Sequence, residues 1–191
     1  MEVSRPFSSI SIKEANFLSL IPVDSNNNEF IHELYKRRNI DFEGATYSMT
    51  RPKGQSLSSI KKMIEKREAT DDFYYSINLT QEEILDDDCI FAGVIQGIWK
   101  DTYSGVIEIG INIFPEFRGI GIGGKSLDLL VHRLTNHFNV FKFVSYVLSC
   151  NENSKQLFLS RGFKRCGCHK NHWINGGTRH DVEIYELIAP R

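Results

Sequence analysis

The stretch "RGIGIGGKS", residues 118–126, decides how this chain is read. Gly119 to Ser126 spell G-x-x-x-x-G-K-S, the spacing of a nucleotide P-loop. Gly119, Gly121 and Gly124 spell G-x-G-x-x-G, a dinucleotide fingerprint. Arg118, Gly121 and Gly123 give a third spacing, R-x-x-G-x-G. All three cradle phosphate, because glycines let the backbone come close and a following helix adds its positive dipole end. The residues on either side decide which phosphate compound is meant.

Working outward, Val106–Phe114 alternates as a strand before the loop, and Leu127, Leu130, Val131, Leu134 and Phe138 fall at helical spacing after it. Upstream, Phe17–Val23 reads as a strand. A helix over about 26–38 follows, capped by Asp24 or Ser25, with Phe30, Ile31, Leu34 and Tyr35 on one face. Residues 39–56 read as loop. A second helix, capped near Ser56, carries Leu57, Ile60 and Ile64, and its outer face is basic. Phe73–Leu79 and Ile90–Trp99 are strands separated by "TQEEILDDD", and "KDTYSG" turns the second into Val106–Phe114. Downstream come the strand Phe141–Ser149, a helix Asn151–Arg161 stopped by Gly162, and a hairpin of Phe163–Trp173 and Val182–Ile188 around "NGG". This order predicts one domain over residues 1–191, its first fifteen residues a loosely held extension. The class is α+β in three layers, a mixed, mostly antiparallel seven-stranded sheet with helices on both faces.

Context weighs against two of the loop readings. A P-loop follows directly from a buried strand and is completed by a metal-binding Asp on a later one. Here Pro115, Glu116 and Phe117 intervene, the next strand ends "VLSCNEN", and only 65 residues follow Ser126. A dinucleotide site opens a βαβ unit and has an acidic residue about 20 positions on. Glu152 lies later, and antiparallel strands already precede the loop. A turn that merely starts a helix would not explain so many glycines.

Two linked segments carry a resemblance. "IGINIFPEFRGIGIG" (Ile109–Gly123) resembles the central motif of the GNAT superfamily of N-acetyltransferases. "VLSCNENSKQLFLSRGF" resembles that family's strand, Asn-initiated helix and Gly-Phe end, with Asn151, Ser154, Gly162 and Phe163 at the matching places. The closing "HWINGGTRHDVEIYEL" looks like the hairpin of the RimJ/RimL-like branch, which acetylates ribosomal proteins and polyamines. The resemblance spans about residues 90–188.

It implies acetyl-CoA as cosubstrate and a primary amine as acceptor, either a small molecule or a protein N-terminus. The amides of Arg118, Gly119, Ile120, Gly121, Ile122 and Gly123 would hold the diphosphate, with Arg118 and Lys125 as screening cations. Backbone at Ile111 and Ile113 would pair with the pantetheine arm where two strands splay, and Asn151, Ser154 and Phe158 would complete the cofactor site. Glu108 is the candidate general base through water, its alternative being a surface carboxylate paired with a cation. Many members carry a Tyr where this chain has Phe158, which packs rather than donates a proton. The general acid is then Tyr146, Ser149, Cys150, Tyr185 or water. Direct transfer is implied; Cys150, a thiol expected to be buried, is the one obvious nucleophile for a covalent route.

Other clusters read more plainly. Cys166, Cys168, His169, His172 and His180 lack structural-zinc spacing, and strand alternation would put His169 opposite Cys166, Cys168 and His172, so no metal is expected. The acidic run Glu82–Asp88 and the basic set Lys61, Lys62, Lys66 and Arg67 read as solvated faces. A net charge of −1 argues against nucleic acid, and no run is long enough for a membrane span or a signal segment. Four cysteines without a disulfide pattern fit a cytoplasmic protein, monomer or homodimer. The alternatives are a coenzyme A-binding module without turnover and a small P-loop nucleotide binder.

Overall fold

The computed structural model describes residues 17–41, 55–80, 89–175 and 177–190. The expected extension at residues 1–15 and the acidic run lie outside them, as does most of the 39–56 loop. In chain order the elements are β1 (Phe17–Pro22), α1 (Asn28–Ile40), α2 (Leu57–Ala69), β2 (Phe73–Thr80), β3 (Ile90–Asp101) and β4 (Val106–Ile113). A 3₁₀ turn (Pro115–Phe117) follows, then α3 (Ile122–Phe138), β5 (Lys142–Leu148), α4 (Glu152–Ser160), β6 (Lys164–Asn175) and β7 (Thr178–Ile188). One seven-stranded sheet runs in the order β1-β2-β3-β4-β5-β7-β6. Every neighbouring pair is antiparallel except β4 and β5. This is the mixed, mostly antiparallel α+β sheet that the sequence predicts.

Helices cover both faces. A side chain at Gly97 would run into Ile107 and Leu134, so α3 lies on the face that Ile107 presents. Tyr74, Gln96 and Gly110 stand in register across β2, β3 and β4 on the opposite face, where α2 sets Arg67 over the Tyr74 ring. The strands between the two layers are therefore buried on both sides: Tyr74 to Thr80 of β2 are all buried, Ser76, Asn78 and Thr80 among them. Leu34, Ile60 and Ile64 belong to the same buried core as Leu127, Leu130, Leu134, Ile95, Ile107 and Phe143.

The helix ends follow from their caps. Ser56 Oγ accepts from Ser59 N–H at 3.2 Å and Asn151 Oδ1 from Ser154 N–H at 3.1 Å, each satisfying an amide the helix leaves open. Gly162, at φ +83°, ends α4, and Phe163 N–H reaches back to Phe158 O at 3.1 Å. At α1 the cap is Asn27, not Asp24 or Ser25: Asn27 Oδ1 accepts from Phe30 N–H at 2.9 Å. Asp24 instead closes a turn by accepting from Asn26 N–H at 2.7 Å, which delays the helix start to Asn28. Phe138, expected on the buried stripe of α3, is 44% exposed and covers Phe73 edge-on from the helix end.

Leu134 is fully buried between α3 and the sheet. Leu134→Ala should lower unfolding free energy by roughly 2–5 kcal/mol in urea titration. A loss under about 1 kcal/mol would contradict this packing.

Candidate active site

β4 does not run straight into the glycines. Phe114, fully buried, donates its N–H to Ala92 O at 2.9 Å and packs edge-on against Phe91. Pro115 then starts the 3₁₀ turn, its fixed φ suiting a first helical position, and Arg118 N–H closes it on Pro115 O at 3.2 Å. The Arg118 amide is therefore committed, and the amides that remain begin at Gly119. The Arg118 side chain is held too: Nε donates to Ile113 O at 2.9 Å and Nη2 to Asp41 Oδ2 at 2.8 Å. Asp41 is the C-cap of α1, so Arg118 ties the loop to the helix layer across the sheet.

The glycines have separate reasons. Gly119 (φ +76°) and Gly121 (φ +87°) adopt left-handed backbone with nothing near a Cβ, so their need is conformational. Gly124 lies beneath the Arg161 guanidinium, whose Cζ would be 2.7 Å from an added Cβ. Arg161 Nη1 also donates to Asp128 Oδ2 at 3.0 Å. At Gly123 an added Cβ would meet only ordinary contacts, 3.5 Å from Ile113. Lys125 N–H is bonded to Gly121 O, so the helix offers no acceptor to the amides of Ile122, Gly123 and Gly124.

The parallel pairing of β4 with β5 covers only Val106, Ile107 and Glu108. Beyond it the strands part. Because Phe114 bonds toward β3, the alternate residues Ile111 and Ile113 turn their N–H groups to the parted side. A cavity of about 890 Å³ fills the gap, lined by Glu108 to Ile113, the loop glycines, Arg118 and Arg161, and on the other bank by Tyr146, Val147, Asn151, Ser154 and Phe158. Ile120 is exposed and Ile122 buried in the core; neither side chain lines the cavity, so any role there belongs to backbone. Lys125 does not line it either. The cation beside Arg118 is Arg161, which the sequence reading missed.

Glu108 lines the cavity and is also ion-paired, Oε2 to Lys100 Nζ at 2.7 Å. The hydrogen bond to Glu108 raises the Lys100 pKa. Phe158 is buried against Phe163 and Tyr185. Of the acid candidates, Tyr146 alone lines the cavity. Tyr185 is buried and donates to Glu183 at 2.6 Å; burial, and then that carboxylate, push its pKa up to about 12. Cys150 is exposed, not buried, because it sits in the turn between β5 and α4. No group of three His, Cys, Asp or Glu among the described residues is placed to hold a metal. The expected alternation in β6 also fails. Asn171 at φ +49° interrupts the strand, and His172 comes to 4.8 Å from His169, which stacks on Tyr146.

The far end of the cavity corrects another expectation. Arg67 is not solvated with Lys61, Lys62 and Lys66: its side chain is 13% exposed and lines the cavity with Arg38, Met63, Tyr74 and Gln96.

A family model described as "Acetyltransferase (GNAT) domain" matches residues 18–164. The chain belongs to that family. The uncharacterized N-acetyltransferase YoaA of Bacillus subtilis is 27% identical over 84 residues, 44% of this chain and 48% of that protein, so the chain spans about half the length of this relative. Among solved structures, spermidine N-acetyltransferase from Vibrio cholerae in complex with CoA and spermine superposes at TM-score 0.75, with 18% identity over 90% of this chain and 95% of that one. RimL, the ribosomal L7/L12 alpha-N-protein acetyltransferase, in complex with coenzyme A, superposes at 0.76 with 21% identity over 96% of each. Shared at such low identity, these likenesses establish the GNAT fold. Among the described residues no helix is long and apolar enough to cross a membrane.

Gly121 and Gly123 differ in what they require. Gly121→Ala should destabilise the unliganded protein by about 1–2 kcal/mol, whereas Gly123→Ala should be neutral or stabilise by up to about 1 kcal/mol. Denaturant titration of both variants checks this; equal losses would refute the distinction.

Proposed function

We propose that the protein is an acyl-CoA-dependent N-acetyltransferase that moves an acetyl group from acetyl-CoA to a primary amine by direct transfer. One observation carries this: a single cavity runs from the glycine loop along the parted strands to Glu108. At its loop end the lining offers backbone N–H groups, a helix N-terminus, Arg118 and Arg161, and the one carboxylate among the described lining residues is Glu108, well along the strand. That end suits a diphosphate, held by the main chain of Gly119, Ile120, Gly121, Ile122 and Gly123. Ile111 and Ile113 suit an amide-bearing arm laid as an extra strand, with Asn151, Ser154 and Phe158 opposite.

Bound acetyl-CoA supplies an activated thioester: a C–N bond to the amine forms, the C–S bond breaks, the amine gives up a proton and the sulfur receives one. Glu108 accepts the amine proton through water, and Lys100 holds its carboxylate in place. An unpaired N–H of β4 stabilises the negative charge that develops on the acyl oxygen. Tyr146 is the hydroxyl that returns a proton to sulfur. Cys150 takes no part, being outside the cavity.

Acetyl-CoA at about 100 times its dissociation constant should add about 2.7 kcal/mol of stability, seen as a raised Tm, while ATP–Mg²⁺ should not. Thiol should be released with a primary amine from a panel of polyamines, amino sugars and peptides with free N-termini. Stabilisation by ATP instead would point to a P-loop binder, and coenzyme A binding without release across the panel to a module without turnover. Glu108→Gln should lower the rate by about 10²–10⁴, mainly at low pH, where most amine is protonated and most needs a base. An unchanged pH–rate profile removes Glu108 from the mechanism.

A further inference from the structure

Beyond Glu108 the cavity continues to a cluster that the transfer chemistry leaves unused. Arg38 reaches in from α1 and Arg67 from α2, and both line the cavity with Tyr74 and Gln96. Among the described residues Arg38 Nη1 meets only neutral acceptors, Gln55 Oε1 at 3.1 Å and Met63 Sδ at 3.5 Å. No carboxylate among the described residues lies within ion-pair distance of it. Arg67 has Asp72 Oδ2 at 3.8 Å, but Asp72 already accepts from Thr70 Oγ1 at 2.8 Å and from Trp99 N–H at 3.0 Å. Arg38 Nε, Arg67 Nε and Tyr74 Oη are all buried and have no hydrogen-bond partner among the described residues. Burial pushes the Arg67 pKa down, and the neighbouring Arg38 charge adds to the push.

Three residues that each hold an unpartnered donor among the described residues, two of them cationic, line one cavity. Buried polar groups are almost always satisfied, so such a set calls for an acceptor from outside the chain. A guanidinium fork matches the two oxygens of a carboxylate or the oxygens of a phosphate. A polycation would instead meet two positive charges here, with the lining carboxylate, Glu108, already engaged by Lys100.

The geometry points to an acceptor amine that carries an anionic group, held by Arg38, Arg67 and Tyr74, at its end remote from the amino nitrogen. This rests on the acetyltransferase reading and narrows its substrate class. Register sets the length. Tyr74 is paired with Gln96 and Gln96 with Gly110, so the anion site lies two strand spacings, about 10 Å, from β4 where it parts from β5. An α-amino acid is too short to span this. An ω-amino acid of about eight carbons, a tripeptide with a free carboxylate or an aminoalkyl phosphate fits.

The test is calorimetric titration, with and without coenzyme A, using 8-aminooctanoate, triglycine and 6-aminohexyl phosphate. The controls are 8-aminooctanamide, triglycinamide and spermidine. Each anionic amine that fits should bind at least tenfold more tightly than the controls, and the tightest identifies the anion's source. Arg67→Gln and Arg38→Gln should each erase the preference, and Arg67→Lys should keep part of it. Thermal stabilisation by coenzyme A reports that each variant is folded; if Arg67→Gln is not, Arg38→Gln decides. Equal binding of charged and neutral amines, tighter binding of spermidine, or no binding of any anionic amine overturns the inference. Thiol release is scored separately. Selective binding without release refutes the activity and leaves the anion site standing, while release without selectivity does the reverse.

Discussion

Everything functional in this molecule depends on where the β4–β5 ladder stops. Three residues pair in parallel, and then the two strands diverge within one continuous sheet. A sheet interior normally leaves no backbone group unpaired. Here β4 keeps its full antiparallel ladder with β3 on one side and has none with β5 beyond Glu108. Part of the deficit is met internally, since Arg118 Nε takes the Ile113 carbonyl. The N–H groups on that edge face a cavity instead, a strand-shaped vacancy in the hydrogen-bonding scheme with donors along one bank. An extended amide chain satisfies such an edge better than any compact ligand does.

The same arginine connects the two ends of the site. Arg118 holds the strand edge through Ile113 and α1 through Asp41, whose side chain is 2% exposed. The turn that presents the glycine amides is therefore braced against the helix layer that supplies Arg38. Charge is graded along the cavity between them: Arg118 and Arg161 at the loop, the Lys100–Glu108 pair midway, and Arg38 with Arg67 at the far end. A ligand pair that places anions at both ends and a proton transfer between them matches that sequence of charges.

The backbone plan was legible because its signals are local. Ser56, Asn151 and Gly162 cap or stop helices by contacts three to five residues away, and the spaced glycines with Pro115 announce the turn. What the sequence concealed depends on contacts between distant segments. Arg118 meets Asp41 across 77 positions and Arg161 meets Asp128 across 33, and no periodicity encodes either. Arg67 looked like its neighbours Lys61, Lys62 and Lys66 because composition cannot say which cation of a basic helix turns inward over an aromatic ring. At α1, "DSNNN" offers several side chains of similar capping strength, and the turn closed by Asp24 decided for Asn27. In β6, side-chain alternation stops at Asn171, whose left-handed backbone no sequence period announces.

The family's missing tyrosine can be weighed the same way. Phe158 is 2% exposed and wedged between Phe163 and Tyr185, so its ring completes the core beneath the cavity and has no proton to give. Tyr185 has one, but its hydroxyl is bound to a carboxylate and its pKa lies near 12, which makes it too weak an acid to serve a thiolate near neutral pH. Ser149 and Cys150 sit past the end of β5, outside the lining. That leaves Tyr146, on β5 two residues beyond Val144, the last partner of β4, and therefore on the same face as Glu108. Its ring lies between the Lys100 ammonium, 5.8 Å from its centroid, and His169. A hydroxyl on β5, on the same face as Glu108, thus lines the cavity.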